Sequence, residues 1–376
     1  MYTESDVLRI GKRYHNTKRQ YLLINPLQAK HIPVSPTKAY EMMCALGEKL
    51  YQAYPETDCI IGFAETATAI AECIALHFPK EVFYIQTTRE NLNGEKINFL
   101  EEHSHAVDQS LVIGRLEGKY FEHILLIDDE ISTGKTVLNI INELKKELFP
   151  DSTFSVGSII NRMPNDVRWQ FYEMGIEFTE LVHIENQDFE SIVNPIRIQS
   201  PREILERPMK FWLSHRMLPH KDPRRGVERG KFANENKNPM MYVDDVFWWV
   251  SGFAKPEERI LILGTEECMF PALLLGKMIE EDYPDTEVFC HATTRSPIGI
   301  SSKNGYPITS GYKIRSFYEE NRDSYIYQVA NYHTVIVMTD STNQTQIQKA
   351  MQDIVILFSN EEEDTEFILI AMEGKS

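Results

Sequence analysis

The chain contains 376 residues, a length that favours two or three domains over one. Its 39 Lys and Arg residues against 56 Asp and Glu residues give a formal net charge of −17. This balance argues against general nucleic-acid binding, which depends on basic residues that neutralise phosphates. Hydrophobic residues make up 42% of the chain, enough for ordinary cores. The charge excludes a class of partner, but it does not exclude a local site for an anionic ligand.

The cysteines and the apolar segments bear on the cellular compartment. The five cysteines are an odd number with no Cys-x-x-Cys pair, so we expect buried, reduced thiols. The N-terminal residues have no apolar segment of the secretory type. The longest apolar stretch, around residues 269–275, is far shorter than the roughly 20 residues needed to span a bilayer. The sequence therefore predicts a cytoplasmic protein without membrane contact.

In chain order, a helical pattern begins at Ser35-Pro36 and places apolar residues at steps of three and four as far as Leu50. Short apolar runs then alternate with amphipathic stretches. We expect strands at 59–63, 82–86, 124–127 and 154–160, and helices at 66–78 and 137–148. Apolar strands that alternate with such helices predict a parallel α/β sheet covered on both faces.

The alternation is lost between about residues 185 and 239, where prolines are frequent. Residues 207–231 hold eight basic residues against two acidic ones. Two interpretations remain open: a solvated connector with short helices, or an arm that supplies cations to a phosphate site. We predict domains at 1–190 and 241–376, joined by a basic, proline-rich connector at 191–240.

The alternation returns near residue 259, and the second half resembles a degenerate copy of the first. Three pairs of segments align: Ile60–Glu65 with Ile262–Glu267, Thr87–Arg89 with Thr293–Arg295, and Asp129 with Asp340. The offset between the paired segments grows steadily along the chain, as small loop insertions would make it. An internal duplication and two independent α/β domains that share strand-loop patterns both remain open.

The segment Ile124–Thr136 carries the most specific pattern in the chain. Four apolar residues precede Asp128 and Asp129, and a short Ser/Thr/Gly loop then enters a helix. The end of this loop resembles a nucleotide-binding P-loop, but Asp129 stands where that motif needs a glycine. Small hydroxyl residues at a helix N-terminus still bind phosphate through backbone N–H groups and the helix dipole. A carboxylate pair can bind a vicinal diol and Mg²⁺, directly or through water. The pattern therefore describes a site for a ribose 5-phosphate.

This segment resembles the 5-phosphoribosyl-1-pyrophosphate (PRPP) motif of type I phosphoribosyltransferases, with Glu130 at a place that is more often apolar. The resemblance implies the type I phosphoribosyltransferase fold, which is a parallel α/β sheet with flanking helices and a hood. A second α/β domain that resembles a degenerate copy follows it here. The resemblance also implies a set of residues that contact PRPP: Asp128, Asp129, Glu130, Ser132, Thr133, Gly134, Lys135, Thr136, Ala64, Thr66 and Ala67.

The loop after the first core strand, 62–68, would bind pyrophosphate in such a fold. Glu65 is unusual beside a pyrophosphate and fits better as a residue that helps to hold Mg²⁺ or orients the loop. For Arg89, a contact to pyrophosphate and a surface ion pair both remain open. We expect catalytic roles for Asp128, Asp129, Glu65 and Arg89, with Asp128 and Asp129 as the Mg²⁺ ligands.

Two further segments supply candidates for a lid and for acceptor contacts. Residues 90–119 are more than a compact domain needs, so we expect an active-site lid. Within it, Glu102, His103 and His105 could bind metal, could contact pyrophosphate or transfer protons, or could be solvated loop residues. Lys30 and His31, in a stretch that would form the hood over the base, are candidates for acceptor contacts, and a plain turn is the alternative.

Several segments together resemble one family: Asn25–Val34, 62–68, Glu101–Ala106, the PRPP motif, and Thr294-Arg295-Ser296-Pro297. They resemble the phosphoribosyltransferase-like proteins of bacterial tellurite-resistance and stress gene clusters. In that family, an orotate-phosphoribosyltransferase-like domain is followed by a TRSP domain, named after the tetrapeptide.

The resemblance implies a cytoplasmic, Mg²⁺-dependent enzyme that transfers phosphoribose from PRPP to a nitrogenous acceptor and releases pyrophosphate. The pathway it implies is nucleotide or nucleoside-like biosynthesis, or stress resistance. The implied partners are PRPP, a small-molecule acceptor, a second copy of the chain and other enzymes of the same gene cluster. The alternative is a regulatory protein that senses PRPP or a nucleotide without chemistry.

Overall fold

The structure is a computed structural model that describes residues 1–16, 19–99, 109–114, 116–185, 187–205, 213–218, 239–359 and 365–372. The chain divides into two compact units. The first unit comprises Met1–Val7, Glu41–Gln187 and Asp222–Met241, and the second comprises Leu8–Tyr40, Asp188–Lys221 and Tyr242–Ser376. This division differs from the predicted boundaries at 190 and 241, because residues 8–40 and the described connector residues 191–205 and 213–218 group with the C-terminal half.

The helices and strands follow one another closely along both halves of the chain. The elements up to residue 183 are α1 (Glu4–Val7), β1 (Arg9–Lys12), β2 (Tyr21–Ile24), α2 (Pro36–Ala53), β3 (Cys59–Gly62), α3 (Thr68–His77), β4 (Phe83–Gln86), β5 (Lys96–Phe99), β6 (Gln109–Val112), β7 (His123–Ile131), α4 (Lys135–Glu147), β8 (Thr153–Asn161), α5 (Asn165–Glu173) and β9 (Ile176–His183). The later elements are α6 (Phe189–Val193), β10 (Arg202–Glu203), β11 (Leu213–Leu218), α7 (Pro239–Val250), β12 (Arg259–Gly264), α8 (Phe270–Asp282), β13 (Glu287–Ala292), β14 (Gly311–Arg315), β15 (Asp323–Tyr327), β16 (Thr334–Thr339), α9 (Gln344–Phe358) and β17 (Glu366–Met372).

The first unit is built on a sheet with the strand order β4-β3-β7-β8-β9, in which every neighbouring pair is parallel. Residues 124–127 of β7 are fully buried, as their continuous apolar run predicts. Burial of each such isoleucine or leucine side chain stabilises the fold by about 2 kcal/mol. The predicted parallel α/β sheet and its four strands are therefore confirmed.

The third predicted strand is longer than expected. Strand β7 continues through the acidic residues to Ile131, because the long strand β8 supplies backbone partners that include Ser158 for Asp128 and Ile160 for Glu130. On the other side of β7, strand β3 ends opposite Ile127. On the side of β8, the backbone of the acidic residues thus remains paired. On the side of β3, these residues extend beyond the end of the neighbouring strand.

The second unit contains a sheet with the order β11-β17-β16-β12-β13, also parallel throughout. Alternate residues of β12 and β16, such as Leu261 and Val335, pack with Ile354 of α9 in a buried cluster. Strand β11 comes from the stretch predicted to be a connector and forms an edge of this sheet. Most of the basic stretch 207–231 lies outside the described residues, so its two interpretations stay open.

Two smaller observations concern the cysteines and membrane contact. All five cysteines are free, and four of them are buried, as predicted. Among the residues with described structure, no helix has both the length and the apolar character needed to cross a membrane.

Candidate functional site

The candidate site of the first unit lies at the carboxyl ends of the neighbouring strands β3 and β7. In the order β4-β3-β7-β8-β9, the connection after β3 leads to β4 on one side of this pair, and the connection after β7 leads to β8 on the other side. Ligands of open parallel sheets bind at the carboxyl ends of the strands, at this reversal of strand order. Phe63 N–H donates to Ile127 O at 3.0 Å, so the residue after β3 is still hydrogen-bonded to β7. The carboxyl ends of β3 and β7 thus carry two of the segments selected from the sequence.

The acidic residues at the end of β7 are half-buried, and their side chains alternate between the faces of the strand. Asp129 Oδ1 accepts a hydrogen bond from Thr66 Oγ1 at 2.9 Å, which ties the end of β7 to the loop after β3. Asp128 Oδ1 accepts from Asp129 N–H at 2.9 Å. Burial raises the pKa of Asp129, while hydrogen bonds from Thr66 and the backbone oppose that rise. The structure thus brings one of the predicted acids, Asp129, together with Thr66.

Glu130, the departure from the usual motif, has a definite partner. Its Oε1 accepts from Arg162 Nε at 2.7 Å, and the two side chains are only 13% and 9% exposed. Arg162 follows β8 directly, and its N–H donates to Ile131 O. A carboxylate at this nearly buried place is therefore compensated by a cation from the neighbouring strand. The sequence did not predict Arg162, because this contact depends on the pairing of β7 with β8.

The predicted phosphate loop lies between β7 and α4, and Gly134 is the residue before the helix. Gly134 has φ +73°, which glycine adopts without strain. A Cβ atom there would lie 2.7 Å from Phe171 Cζ and 2.8 Å from Met163 Cε. Ser132, Thr133 and Thr136 are half-buried, whereas Lys135 is exposed. The loop therefore presents small hydroxyl side chains and helix N–H groups while its glycine packs on α5.

The loop after β3 is held in place by Thr87, the residue that follows β4. Ala64 N–H donates to Thr87 Oγ1 at 2.7 Å, and Thr87 Oγ1 in turn donates to Gln109 Oε1 at 2.6 Å. The peptide between Ala64 and Glu65 is cis. Ala64, Glu65 and Ala67 are buried, and Arg89 beyond the end of β4 is half-buried. The roles of Thr87 and Gln109 were not predicted, although Thr87 belongs to the triplet that recurs at residues 293–295.

The segment predicted to be a lid is partly an antiparallel hairpin of β5 and β6. Phe99 of this hairpin packs edge-on against Phe63, with ring centroids 6.1 Å apart. The two strands of the hairpin are thus part of the packed unit. Residues 100–108, which include Glu102, His103 and His105, lie outside the described residues, and the roles predicted for these three side chains stay predictions.

Lys30 and His31 are buried within the second unit. Lys30 Nζ donates to Glu266 O at 2.9 Å and to Thr293 O at 3.2 Å. The structure thus groups both residues with the second sheet, whereas the sequence placed them in a hood over the first. Their predicted role in acceptor binding stays a prediction.

The TRSP tetrapeptide follows β13 in the second unit. Thr294 is buried, and the other three residues are half-buried. Arg295 Nε donates to Glu266 Oε2 at 2.6 Å, and Thr294 Oγ1 accepts from Ser296 N–H at 3.2 Å. Asp340, the counterpart of Asp129, is buried and accepts from Tyr318 Oη at 2.6 Å. The polar residues after β12, β13 and β16 thus form one network of hydrogen bonds and ion pairs.

The donor set at the end of β7 suits magnesium better than a metal that needs several protein ligands. Within the described part of the chain, no group of three or more His, Cys, Asp and Glu side chains is arranged to hold a metal ion. Mg²⁺ is commonly held by one or two carboxylates together with substrate phosphates and water. The half-buried carboxylates of Asp128 and Asp129 fit this mode of binding.

Comparison with known proteins adds two matches to family models. Residues 7–185 match the family described as phosphoribosyl transferase, and residues 231–356 match the TRSP domain that lies C-terminal to it. No curated protein matches the chain.

Solved structures of low sequence identity also align with about half of the chain. The orotate phosphoribosyltransferase from Aeropyrum pernix is 14% identical, with a TM-score of 0.33, and the alignment covers 51% of this chain and 93% of the other. The adenine phosphoribosyltransferase from Leishmania donovani is 18% identical, with a TM-score of 0.37 and coverage of 48% and 78%. The enzyme from Trypanosoma brucei, in complex with AMP, pyrophosphate and ribose-5-phosphate, is 15% identical, with a TM-score of 0.35 and coverage of 47% and 76%.

Proposed function

Because this chain belongs to the family in which a phosphoribosyl transferase domain is followed by a TRSP domain, we propose that its first unit transfers phosphoribose from PRPP to a nitrogenous acceptor. The acceptor is a base or a base-like compound, and pyrophosphate is the second product. A pathway of nucleotide or nucleoside-like biosynthesis or of stress resistance, in the cytoplasm, completes the proposal. The observation that carries the proposal is the succession of two aspartates at the end of β7, just before Ile131, and a hydroxyl-rich loop that follows Ile131 and leads into α4.

In the proposed complex, different residues of the first unit bind the different parts of PRPP. Helix N–H groups and hydroxyls from Ser132 to Thr136 bind the 5-phosphate. Asp128 and Asp129 bind the ribose diol and would hold Mg²⁺. The loop of residues 64–67 and Arg89 bind the pyrophosphate, and Glu65 orients that loop. Thr66 connects the two regions, because it donates to Asp129 at 2.9 Å.

In the proposed reaction, the bond between C1 of ribose and the pyrophosphate oxygen breaks, and pyrophosphate leaves with the electron pair. A ring nitrogen of the acceptor forms the new bond to C1, and its proton passes to solvent or to a base. When bound, Mg²⁺ supplies positive charge that stabilises the leaving pyrophosphate. The carboxylates at the end of β7 stabilise the positive charge that develops on the sugar ring. Closure of the segment 90–119 would exclude water, which competes with the acceptor for C1.

The decisive experiment removes both carboxylates while keeping their size. Asp128→Asn combined with Asp129→Asn should abolish release of pyrophosphate from PRPP and Mg²⁺ in a screen of purines, pyrimidines and small aromatic acids. Asp151→Asn is the matched control, because Asp151 is an exposed carboxylate in the turn between α4 and β8 of the same unit. Unchanged turnover in the double variant would refute the assignment.

The same screen separates the enzyme from a PRPP sensor. Thermal-shift measurements with PRPP alone report binding, and the release of pyrophosphate reports catalysis. Binding of PRPP by the wild-type protein with no release in the presence of any acceptor would favour the sensor. A second copy of the chain and other enzymes of the gene cluster remain proposed partners.

A further inference from the structure

The second unit contains a buried group of charged side chains that the proposed reaction does not use. Glu266 accepts from Arg295 Nε at 2.6 Å and from Ser316 Oγ at 2.9 Å. Its Oε2 also lies 3.5 Å from a terminal guanidinium nitrogen of Arg322. The side chain of Glu266 is 1% exposed, and those of Arg295 and Arg322 are 16% and 13% exposed. Two guanidinium groups and a hydroxyl thus surround one carboxylate at the end of the second sheet.

Backbone geometry identifies what Glu266 replaces. In the first unit, Ala64 N–H donates to Thr87 Oγ1. In the second unit, Glu266 N–H donates to Thr293 Oγ1 at 3.0 Å. The N–H groups of Thr87 and Thr293 donate to the carbonyl oxygens of Gly62 and Gly264, which are the last residues of β3 and β12. Glu266 therefore stands at the place of Ala64, in the loop that we propose to bind pyrophosphate.

The same correspondence applies to the arginine that follows the second strand of each sheet. Thr88 Oγ1 accepts from Glu90 N–H at 3.0 Å, and Thr294 Oγ1 accepts from Ser296 N–H at 3.2 Å. Arg295, which lies between Thr294 and Ser296, therefore stands at the place of Arg89. A guanidinium and a loop of the pyrophosphate-binding type thus recur together in the second unit, and the loop carries a carboxylate.

We propose that Arg295 and Arg322 form an anion site of the phosphate or pyrophosphate class, and that the carboxylate of Glu266 fills this site as a built-in ligand. Planar guanidinium groups bind carboxylate and phosphate oxygens with the same donor geometry, so a glutamate can replace an anion. The choice of pyrophosphate as the anion rests on the proposed function of the first unit. The donor set itself is independent of that function.

The loop is held so that the carboxylate stays in place. Lys30 Nζ donates to Glu266 O and to Thr293 O, and Glu266 adopts φ +46°, a left-handed conformation that is costly for a residue with a side chain. A tethered carboxylate has a high effective concentration at the arginines, and a free anion would have to displace it. The wild-type second unit is therefore closed to pyrophosphate, and Arg295 of the TRSP motif acts as a positioning residue of that loop.

The test compares two neighbouring buried glutamates of the second unit in full-length protein. Glu266→Ala should gain one site for inorganic pyrophosphate relative to the wild type, measured by isothermal titration calorimetry without Mg²⁺. We expect binding at this added site to be at least about tenfold tighter than any binding by the wild-type second unit. Glu267→Ala is the matched control: Glu267 is 1% exposed and 3.9 Å from Arg295, but its removal leaves Glu266 on the arginines. Addition of Arg295→Ala to Glu266→Ala should abolish the gain.

Folding is checked on each variant by circular dichroism, and Glu266→Gly replaces Glu266→Ala if the latter does not fold, because glycine also removes the side chain and adopts φ +46° without strain. A folded variant at position 266 that gains no site would overturn the proposal, as would an equal gain in Glu267→Ala. PRPP turnover by the wild-type protein is measured in parallel. Its absence would refute the proposed function of the first unit and would leave a gained site at Arg295 and Arg322 intact, so the two failures are distinguishable.

Discussion

In both units, a threonine hydroxyl accepts a hydrogen bond from a backbone N–H of the loop after the first core strand, yet the two loops carry different side chains. Thr87 and Thr293 each accept from a loop N–H and each follow the second strand of a sheet. Their successors, Thr88 and Thr294, each form an isolated antiparallel bridge, to Ser110 and to Tyr325 respectively. Both bridge partners belong to hairpins that lie between the second and third sheet strands. These shared details favour a duplication over two independent domains, because unrelated sheets have no reason to repeat them.

The units differ where the third core strand ends. In the first unit, Gly134 with φ +73° leads the chain into α4 and leaves hydroxyl groups beside the helix N-terminus. In the second unit, the corresponding loop uses its polar groups internally. Ser341 Oγ donates to Phe317 O at 2.7 Å, and Asn343 Oδ1 accepts from Gln346 N–H to cap α9. The comparison teaches that a similar backbone can carry different side chains: a hydroxyl-rich loop that we propose to bind phosphate in the first unit, and a hydrogen-bonded polar network in the second.

The largest expected difference between the units concerns Asp129 and its counterpart in the second unit, Asp340. Asp129→Asn should lower kcat/KM for PRPP by about a thousandfold, because it removes a charge that faces the proposed sugar and metal site. Asp340→Asn should instead lower stability by about 1–3 kcal/mol, because the buried Asp340 accepts from Tyr318 Oη at 2.6 Å. Steady-state kinetics and urea denaturation of both variants check this. Similar losses of PRPP turnover in both variants would contradict the expectation that the catalytic site belongs to the first unit alone.

The pair of Glu130 and Arg162 is the next test, because Ser341 takes the place of Glu130 in the second unit. Arg162→Ala should destabilise the first unit by about 3 kcal/mol, since it leaves a nearly buried carboxylate without its cation. Glu130→Leu together with Arg162→Leu should recover most of this loss, because no charge is then left buried. Denaturation midpoints measure both effects. A double variant no more stable than Arg162→Ala would show that the ion pair does more than neutralise Glu130.

Gly134 tests the loop of the first unit that we propose to bind phosphate. Gly134→Ala should weaken PRPP binding at least about tenfold and destabilise the fold by about 2 kcal/mol, because the new Cβ would contact Phe171 at 2.7 Å. Gly175→Ala is the matched control, since Gly175 has φ +73° but no atom within 4 Å of the new Cβ. Titration with PRPP should therefore separate the two variants. Equal affinity for PRPP in both variants would contradict a role of the loop at Gly134 in binding PRPP.

The smallest expected effect is a pH dependence in the second unit. Burial lowers the pKa of His291 to about 4, although a hydrogen bond to Tyr327 O at 2.8 Å opposes this. The unfolded chain binds a proton near pH 6.5 and the folded chain does not, so stability falls as the pH drops from about 6.5 toward 4. At pH 5.5 the loss attributable to His291 should be about 1 kcal/mol. Denaturation of His291→Gln at pH 7.5 and 5.5 should show a smaller loss than the wild type, whereas replacement of the exposed His183 should not change it.

The apolar strands and the PRPP motif could be predicted from sequence because their patterns are local. Residues 124–127 form a continuous apolar run, and a strand covered on both faces of a sheet requires one. Asp128, Asp129 and the loop up to Thr136 are contiguous, so their proximity follows from chain connectivity. The recurrence of the triplet that ends in Arg89 and Arg295 also indicated the correspondence between the two halves.

Other features depend on contacts between distant segments. Arg162 meets Glu130 only because β8 pairs with β7, and Phe171 meets Gly134 only because α5 packs there. Strand β11 belongs to a stretch rich in proline and basic residues, and its place as a sheet edge becomes visible only through its pairing with β17. None of these contacts leaves a period or a motif in the sequence.

The sequence by itself determined the α/β class, the repeated strand-loop pattern and the diacid followed by a hydroxyl-rich loop, because hydrophobic periodicity and short motifs are properties of neighbouring residues. Only the tertiary structure decided that residues 8–40 pack with the second unit, that Lys30 holds the backbone of Glu266, and that Glu266 lies on two arginines. Those outcomes depend on which buried charges find partners across the fold, and the free energy of burying a charge is set by its surroundings in space.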